Sequence, residues 1–192
     1  MTTPAENEQW PLTLEEYLRF EALSEVRHEF VGGQVYAMTG GSRRHGQMAG
    51  MLFAALQQGL LEGPCRVYTH DTKLRVPSGA VYYPDVFVSC GAQDDPYVED
   101  DASWVIEVLS DTTRDKDDRE KSLAYLQLPS LKGYLLVETS SRTIQLRTPT
   151  DLGWHTTYLH DADLLDLDGV RVGVRDLYDR LDAKVPPSST DG

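Results

Sequence analysis

Residues 104–113 read WVIEVLSDTT, and one carboxylate in that run, Glu107, poses the question on which the fold turns. Trp104, Val105, Ile106, Val108 and Leu109 are β-formers, apolar at odd and even positions alike. That is the pattern of a central strand covered on both faces. A lone ionised acid in such a place costs several kcal/mol. Either something stabilises the charge, or the strand ends there.

Working outward, Thr112 or Thr113 caps a helix over roughly 114–128 that Pro129 stops, and GYLLVET (133–139) is the next strand. Upstream, VYYPDVFVSC (81–90) reads as one strand, and RVYTH (66–70) and KLRVP (73–77) as two strands joined by a short turn near Asp71. The acidic stretch DDPYVEDD (94–101) reads as a loop. Before these, RRHGQMAGMLFAALQQGLL (43–61) is a helix whose Met48, Met51, Leu52, Ala55, Leu56 and Leu60 fall on one core-facing stripe. HEFVGGQVYAM (28–38) breaks at Gly32-Gly33 like a hairpin, and Thr13 with Glu16 forms a capping-box pattern ahead of LEEYLRFEALS (14–24). TIQLRT, WHTTYL and DGVRVGV are later strands, with Asp168-Gly169 as a two-residue turn, and VRDLYDRL (174–181) closes the chain as a helix. The fold class expected is α/β: a central mixed sheet flanked by helices, with extra C-terminal antiparallel strands. Residues 12–182 form one domain, and 1–11 and 183–192 are expected to be disordered.

The 192 residues carry a formal net charge of −13, which argues against nonspecific binding to phosphate over the whole surface. Basic residues do cluster at Arg43, Arg44, Arg66, Lys73 and Arg75 and again at Arg114, Lys116, Arg119 and Lys121, so one face can be locally positive. There is no apolar run of membrane-spanning length and no signal-peptide pattern, and a cytoplasmic location is expected. Cys65 and Cys90 lie in apolar strand-like contexts without metal-ligand spacing and are expected to be free, buried thiols. Neither a dinucleotide-binding GxGxxG nor a P-loop is present.

Two acids stand out, Asp85 after Pro84 and Glu107. On neighbouring strands their carboxylates would repel unless one is protonated or a cation lies between them. A hard divalent cation needs only one or two carboxylates plus water. Asp117, Lys121 and Tyr125 follow at spacings of four on one helix face, which can fold back over Glu107 and bring in the Lys121 ammonium. The same spacing also suits an ordinary helix ion pair, and Tyr125 suits plain packing. In TGGSRRHG (39–46), Ser42 with Arg43 and Arg44 suits either a phosphate at a helix start, with His45 touching the scissile group, or a simple cap with exposed arginines. His155 and His160 have no useful ligand spacing, and the aspartates of 161–168 read as turn residues.

PD(85)VFVSC, WVIE(107)VLSDTT, D(117)DREK(121)SLAY(125) and GYLLVE, with RHE(29)FVGGQVYAM and His45 upstream, resemble the Uma2 or DUF820 group of endonucleases over about residues 13–147. That group belongs to the PD-(D/E)xK, restriction endonuclease-like superfamily. The resemblance implies a restriction endonuclease-like core and a Mg²⁺ or Mn²⁺ site made by Asp85, Glu107 and the main-chain carbonyl of Val108. It also implies Lys121 as the catalytic lysine and Glu29 as a further acid. The superfamily lysine usually stands two residues after the second acid, where this chain has Leu109. Metal-dependent hydrolysis of nucleic acid, DNA in preference to RNA, is the expected function. A nuclease-like binding module without catalysis and a phosphodiesterase for small substrates are the alternatives. A homodimer is the expected assembly, two-fold dimers being the commonest oligomers.

Overall fold

The computed structural model describes residues 11–92, 95–109 and 117–183. The chain runs α1 (Leu14–Leu23), β1 (His28–Val31), β2 (Gln34–Ala37), α2 (Arg43–Gly59), β3 (Arg66–Thr69), β4 (Lys73–Arg75), β5 (Val81–Tyr82) and β6 (Val86–Ser89). It continues β7 (Val98–Glu99), β8 (Trp104–Leu109), α3 (Asp117–Tyr125), β9 (Gly133–Glu138), β10 (Thr143–Thr150), β11 (Gly153–Leu159), β12 (Leu164–Leu167), β13 (Val170–Gly173) and α4 (Val174–Asp182). Six strands form the main sheet in the order β11-β10-β9-β8-β6-β3. Within it β8 and β9 are parallel, with α3 between them in sequence, while the other pairs are antiparallel. A smaller sheet has the order β2-β1-β5-β4-β7, and β12 and β13 form a separate hairpin.

Both faces of the main sheet are covered, as the apolar run of β8 requires. On one face Val86, Val88, Ile106, Leu135 and Val137 pack with Met48, Leu52 and Leu56 of α2 and with Leu177, Tyr178 and Leu181 of α4. On the other, Phe87, Val105, Tyr134 and Leu136 pack with Ala124 and Tyr125 of α3 and with Leu74 and Tyr82 of the smaller sheet. Period-two alternation puts Glu107 on the second face with Val105. Gly133 enters β9 under Trp104: a Cβ there would stand 2.3 Å from the indole Cζ3, so only glycine admits this close approach.

Local signals in the sequence are met at several points. Thr13 and Glu16 form the capping box, and Ser42 caps α2 by accepting the His45 amide. Gly32 and Gly33 turn the β1–β2 hairpin at φ of 58° and 83°, and Asp168 and Gly169 turn β12 into β13 at 55° and 90°.

Other expectations are corrected. The segment 81–90 is two strands, β5 in the smaller sheet and β6 in the main one, parted at Tyr83-Pro84-Asp85. Pro84 has no N–H for a ladder, so the chain changes sheets there. The two strands expected over 66–77 are present as β3 and β4, and the turn between them carries the chain from the main sheet to the smaller one. Inside the expected acidic loop, Val98–Glu99 adds β7 in parallel to β4. The expected cap at Thr112 or Thr113, and the first turn of its helix, lie outside the described residues, as does most of each expected disordered end.

The cysteines are not free. Cys65 and Cys90 form a disulfide, with Cys65 only partly buried and Cys90 exposed. The physical reason is register: Arg66 pairs with Ser89, and one step outward the two cysteines face each other across β3 and β6. The bridge spans 25 residues of chain. A loop of that size restricts the unfolded ensemble enough for its loss to cost about 3 kcal/mol. Urea unfolding with and without reductant should show that difference in wild type and none in the Cys65→Ser, Cys90→Ser double variant.

Candidate metal centre

The antiparallel register of β6 on β8 pairs Val86 with Ile106, and one step further it sets Asp85 beside Glu107. Both acids therefore lie on the same face at the point where the sheet parts. Asp85 is pinned from two sides. Its Oδ2 accepts the Val108 amide at 2.8 Å and lies 3.0 Å from His45 Nε2. His45 comes from the first turn of α2, and its ring rests on Gly41, where a Cβ would stand 2.6 Å from Nδ1. The hydrogen bond to Asp85 raises the pKa of His45 against the opposing effect of burial.

Glu107 is buried, and its Oε1 accepts the hydroxyl of Tyr125 at 2.9 Å. Burial pushes its pKa up, the Lys121 ammonium pulls it down, and the Asp85 and Glu29 carboxylates push it up again, to about 8. Tyr125 is wholly buried between Tyr82 and Tyr134, with ring centroids 5.4 and 5.5 Å away. Burial, and next to it the Glu107 charge, hold the phenol in its neutral, donating form.

Lys121 stands four residues before Tyr125 on α3, and its Nζ meets Glu29 Oε1 at 2.5 Å. It also lies 5.9 Å over the Tyr82 ring. Burial works against its charge, but the carboxylates of Glu107, Glu29 and Asp85 outweigh it and hold the ammonium protonated. Glu29 arrives on β1, which pairs with β5 immediately before the Tyr83-Pro84 crossing.

The structure thus brings Asp85, Glu107, Val108, Lys121, Glu29 and His45 together from β1, α2, the β5–β6 crossing, β8 and α3. Arg44 is not part of that group: it is held by Asp182 at 2.8 Å and by the Thr139 carbonyl at 2.9 Å. These contacts make it a tether between α2 and α4, which suits the reading of Ser42 as a simple cap with exposed arginines. The aspartates of 161–168 serve turns and tethers: Asp163 accepts the His160 amide, Asp166 accepts the Gly169 amide, Asp161 holds Arg142, and Asp168 holds Lys132 and Trp104. Tyr125 acts on Glu107 rather than only packing. Its spacing from Lys121 is the sequence signal for that contact.

Three acids near one fixed ammonium leave an excess of oxygen donors, which suits a hard divalent cation. Among the described residues no three His, Cys, Asp or Glu side chains converge as a ready-made ligand set. A Mg²⁺ site needs only one or two carboxylates, supplemented by water and substrate oxygens. Val108 fits the same pattern. Its amide already points to Asp85, the N–H and C=O of a strand residue leave on the same edge, and the β6–β8 ladder ends at Val86–Ile106, before Pro84, which has no N–H to donate.

The Uma2 family profile, described as "Putative restriction endonuclease", matches residues 14–180. The chain belongs to the Uma2 family. An uncharacterized protein of Synechocystis sp., slr1290, is 33% identical over 163 residues, covering 83% of this chain and 86% of that protein. A second from the same organism, sll1609, is 27% identical over 135 residues, covering 66% and 75%. In fold, this Uma2 chain is similar to the crystal structure of a "putative nuclease belonging to DUF820" from Anabaena variabilis, with a TM-score of 0.73 and 15% identity, covering 89% of this chain and 99% of that one. Among the described residues, no helix of this Uma2 protein is long and apolar enough to cross a membrane.

Proposed function

We propose that the chain is a Mg²⁺- or Mn²⁺-dependent endonuclease that hydrolyses phosphodiester bonds of nucleic acid, with DNA the favoured substrate. The observation that carries this reading is the β6–β8 register that sets Asp85 beside Glu107 at the end of an otherwise apolar sheet, with the Lys121 ammonium, paired to Glu29, close enough to act on both. Family membership supports the nuclease class.

Asp85, Glu107 and the Val108 carbonyl would hold the cation, which when bound supplies charge neutralisation at the phosphoryl oxygen and a lowered pKa for water. Lys121, fixed by Glu29, offsets charge developing on the pentacoordinate phosphate and orients the nucleophile. Its place on α3 fills the role that a strand lysine would have at Leu109. His45, with Nε2 engaged by Asp85 and the ring seated on Gly41, orients the Asp85 carboxylate. Tyr125 orients Glu107 in the same way.

Tyr125→Phe removes one hydroxyl while keeping the ring stack. It should weaken Mn²⁺ binding roughly 10- to 100-fold, the effect expected for a group that orients a metal ligand, with the melting temperature nearly unchanged. Calorimetric titration with Mn²⁺ alongside thermal melts checks this, and equal affinity in both proteins would remove Tyr125 from the site. The function itself is tested by incubating plasmid and linear DNA with the protein in Mg²⁺, Mn²⁺ or chelator. Cleavage only with metal is expected. Binding of DNA without cleavage would favour the noncatalytic module, and cleavage of a nucleotide diester undiminished by excess duplex would favour a small-substrate phosphodiesterase.

A further inference from the structure

Glu21 lies in α1, outside the group just described, yet it is a buried acid with three partners. Its Oε1 accepts the Tyr83 hydroxyl at 2.7 Å and the His28 amide at 2.9 Å, and its Oε2 meets His28 Nδ1 at 3.0 Å. Tyr17, one helical turn earlier, donates its hydroxyl to the His28 carbonyl at 2.7 Å and stacks on Phe30 at 4.8 Å. His28 is the residue before Glu29, and Tyr83 is two before Asp85. One carboxylate therefore ties together the two chain segments that deliver Glu29 and Asp85.

We propose that Glu21 is a positioning residue for the metal centre: through His28 and Tyr83 it sets the relative placement of the Glu29 and Asp85 carboxylates. The segments need such a clamp. Tyr83-Pro84-Asp85 lies between two sheets and has no ladder of its own, while β1 reaches β5 only through the Phe30–Val81 pair. A buried acid with three donors is a stiff link, because each bond is charge-assisted and the alternative is an unpaired buried charge. Tyr83 is further covered by the Lys73 ammonium, 5.5 Å from its ring centroid.

The proposal rests on the metal-site reading above, and the experiment separates the two. The Val108 amide is the reporter, because its hydrogen bond goes to the Asp85 carboxylate, on the far side of the crossing from Glu21. Hydrogen exchange is followed by NMR in the metal-free full chain, with the β9 amides as internal reference, for wild type, Glu21→Ala, Glu21→Gln and Tyr83→Phe. In Glu21→Ala the Val108 amide should exchange about tenfold faster relative to β9, as local loosening without global unfolding. Tyr83→Phe, which loses a single hydroxyl, should shift Val108 in the same direction and serves if the alanine variant does not fold. Glu21→Gln can accept from Tyr83 and His28 and donate to the imidazole in its other tautomer, so it should restore the wild-type ratio. In parallel, Mn²⁺ affinity should fall roughly 10- to 100-fold in Glu21→Ala and recover in Glu21→Gln. A Val108-to-β9 ratio unchanged in both Glu21→Ala and Tyr83→Phe would overturn the proposal and leave Glu21 a staple for α1 only. So would a glutamine variant as impaired as the alanine one. Failure of wild type to bind Mn²⁺ would overturn the metal reading instead, with the exchange comparison still deciding the role of Glu21.

Discussion

Glu107→Gln should abolish metal-dependent cleavage, by at least about 10³-fold, while leaving the metal-free protein as stable as wild type or more so. The rate loss follows from removing an anionic ligand whose task is to hold charge in place for the transition state, a contribution of that order when a single electrostatic group is deleted. The stability gain follows from burial: in the metal-free protein Glu107 is penalised by desolvation and by the Asp85 and Glu29 charges, a penalty an amide does not carry. A carboxyl whose folded-state pKa is raised contributes stability that is fully present below the ordinary carboxylate pKa and is lost as pH rises towards about 8. The stability of wild type should therefore fall relative to Glu107→Gln over that window, as read by urea unfolding at a series of pH values. A large loss of metal-free stability in the glutamine variant would mean that Glu107 is one half of a structural ion pair with Lys121.

Lys121→Met separates the same two accounts from the other side. Methionine keeps the length and packing of the stem beside Tyr82 and removes the ammonium. Cleavage should fall about 10²- to 10³-fold, the scale of one lost charge-stabilising group. Mn²⁺ affinity should hold or rise, since three carboxylates are left without their cation. The metal-free protein should lose about 3 kcal/mol or more, because one partner of a largely buried ion pair with Glu29 is removed. Added Mn²⁺ should then recover much of that stability by mass action. Calorimetry, single-turnover cleavage and unfolding on one preparation give all three values. Unchanged turnover would take Lys121 out of the chemistry.

What could be read from the chain alone was decided by residues that contradict their surroundings. Glu107 is legible because an acid in WVIEVL conflicts with every neighbour, and Asp85 because Pro84 marks the end of a ladder. Lys121 and Tyr125 follow from helical spacing. Features that depend on register were not legible. The disulfide needs Cys65 opposite Cys90 across two strands, and neither local context carries that information. The split of 81–90 between two sheets depends on which partners β5 and β6 find, since either half alone has strand propensity. Glu21 was hidden for a different reason. In LEEYLRFEAL an acid at that spacing looks like part of a solvated helix face, and only the tertiary contacts with His28 and Tyr83 bury it. Arg44 shows the reverse: beside a glycine turn it suggests phosphate, but Asp182 on α4, 138 residues away in sequence, already holds it.

The central claim is that Asp85 and Glu107 share one divalent cation. A crystal of the full chain soaked in Mn²⁺, with anomalous data collected above the manganese edge, tests it most directly. A single strong peak within ligand distance of both carboxylates and the Val108 carbonyl is the predicted result. Contradiction would be an empty site, with the Glu107 and Asp85 side chains keeping their bonds to Tyr125, His45 and the Val108 amide at saturating Mn²⁺.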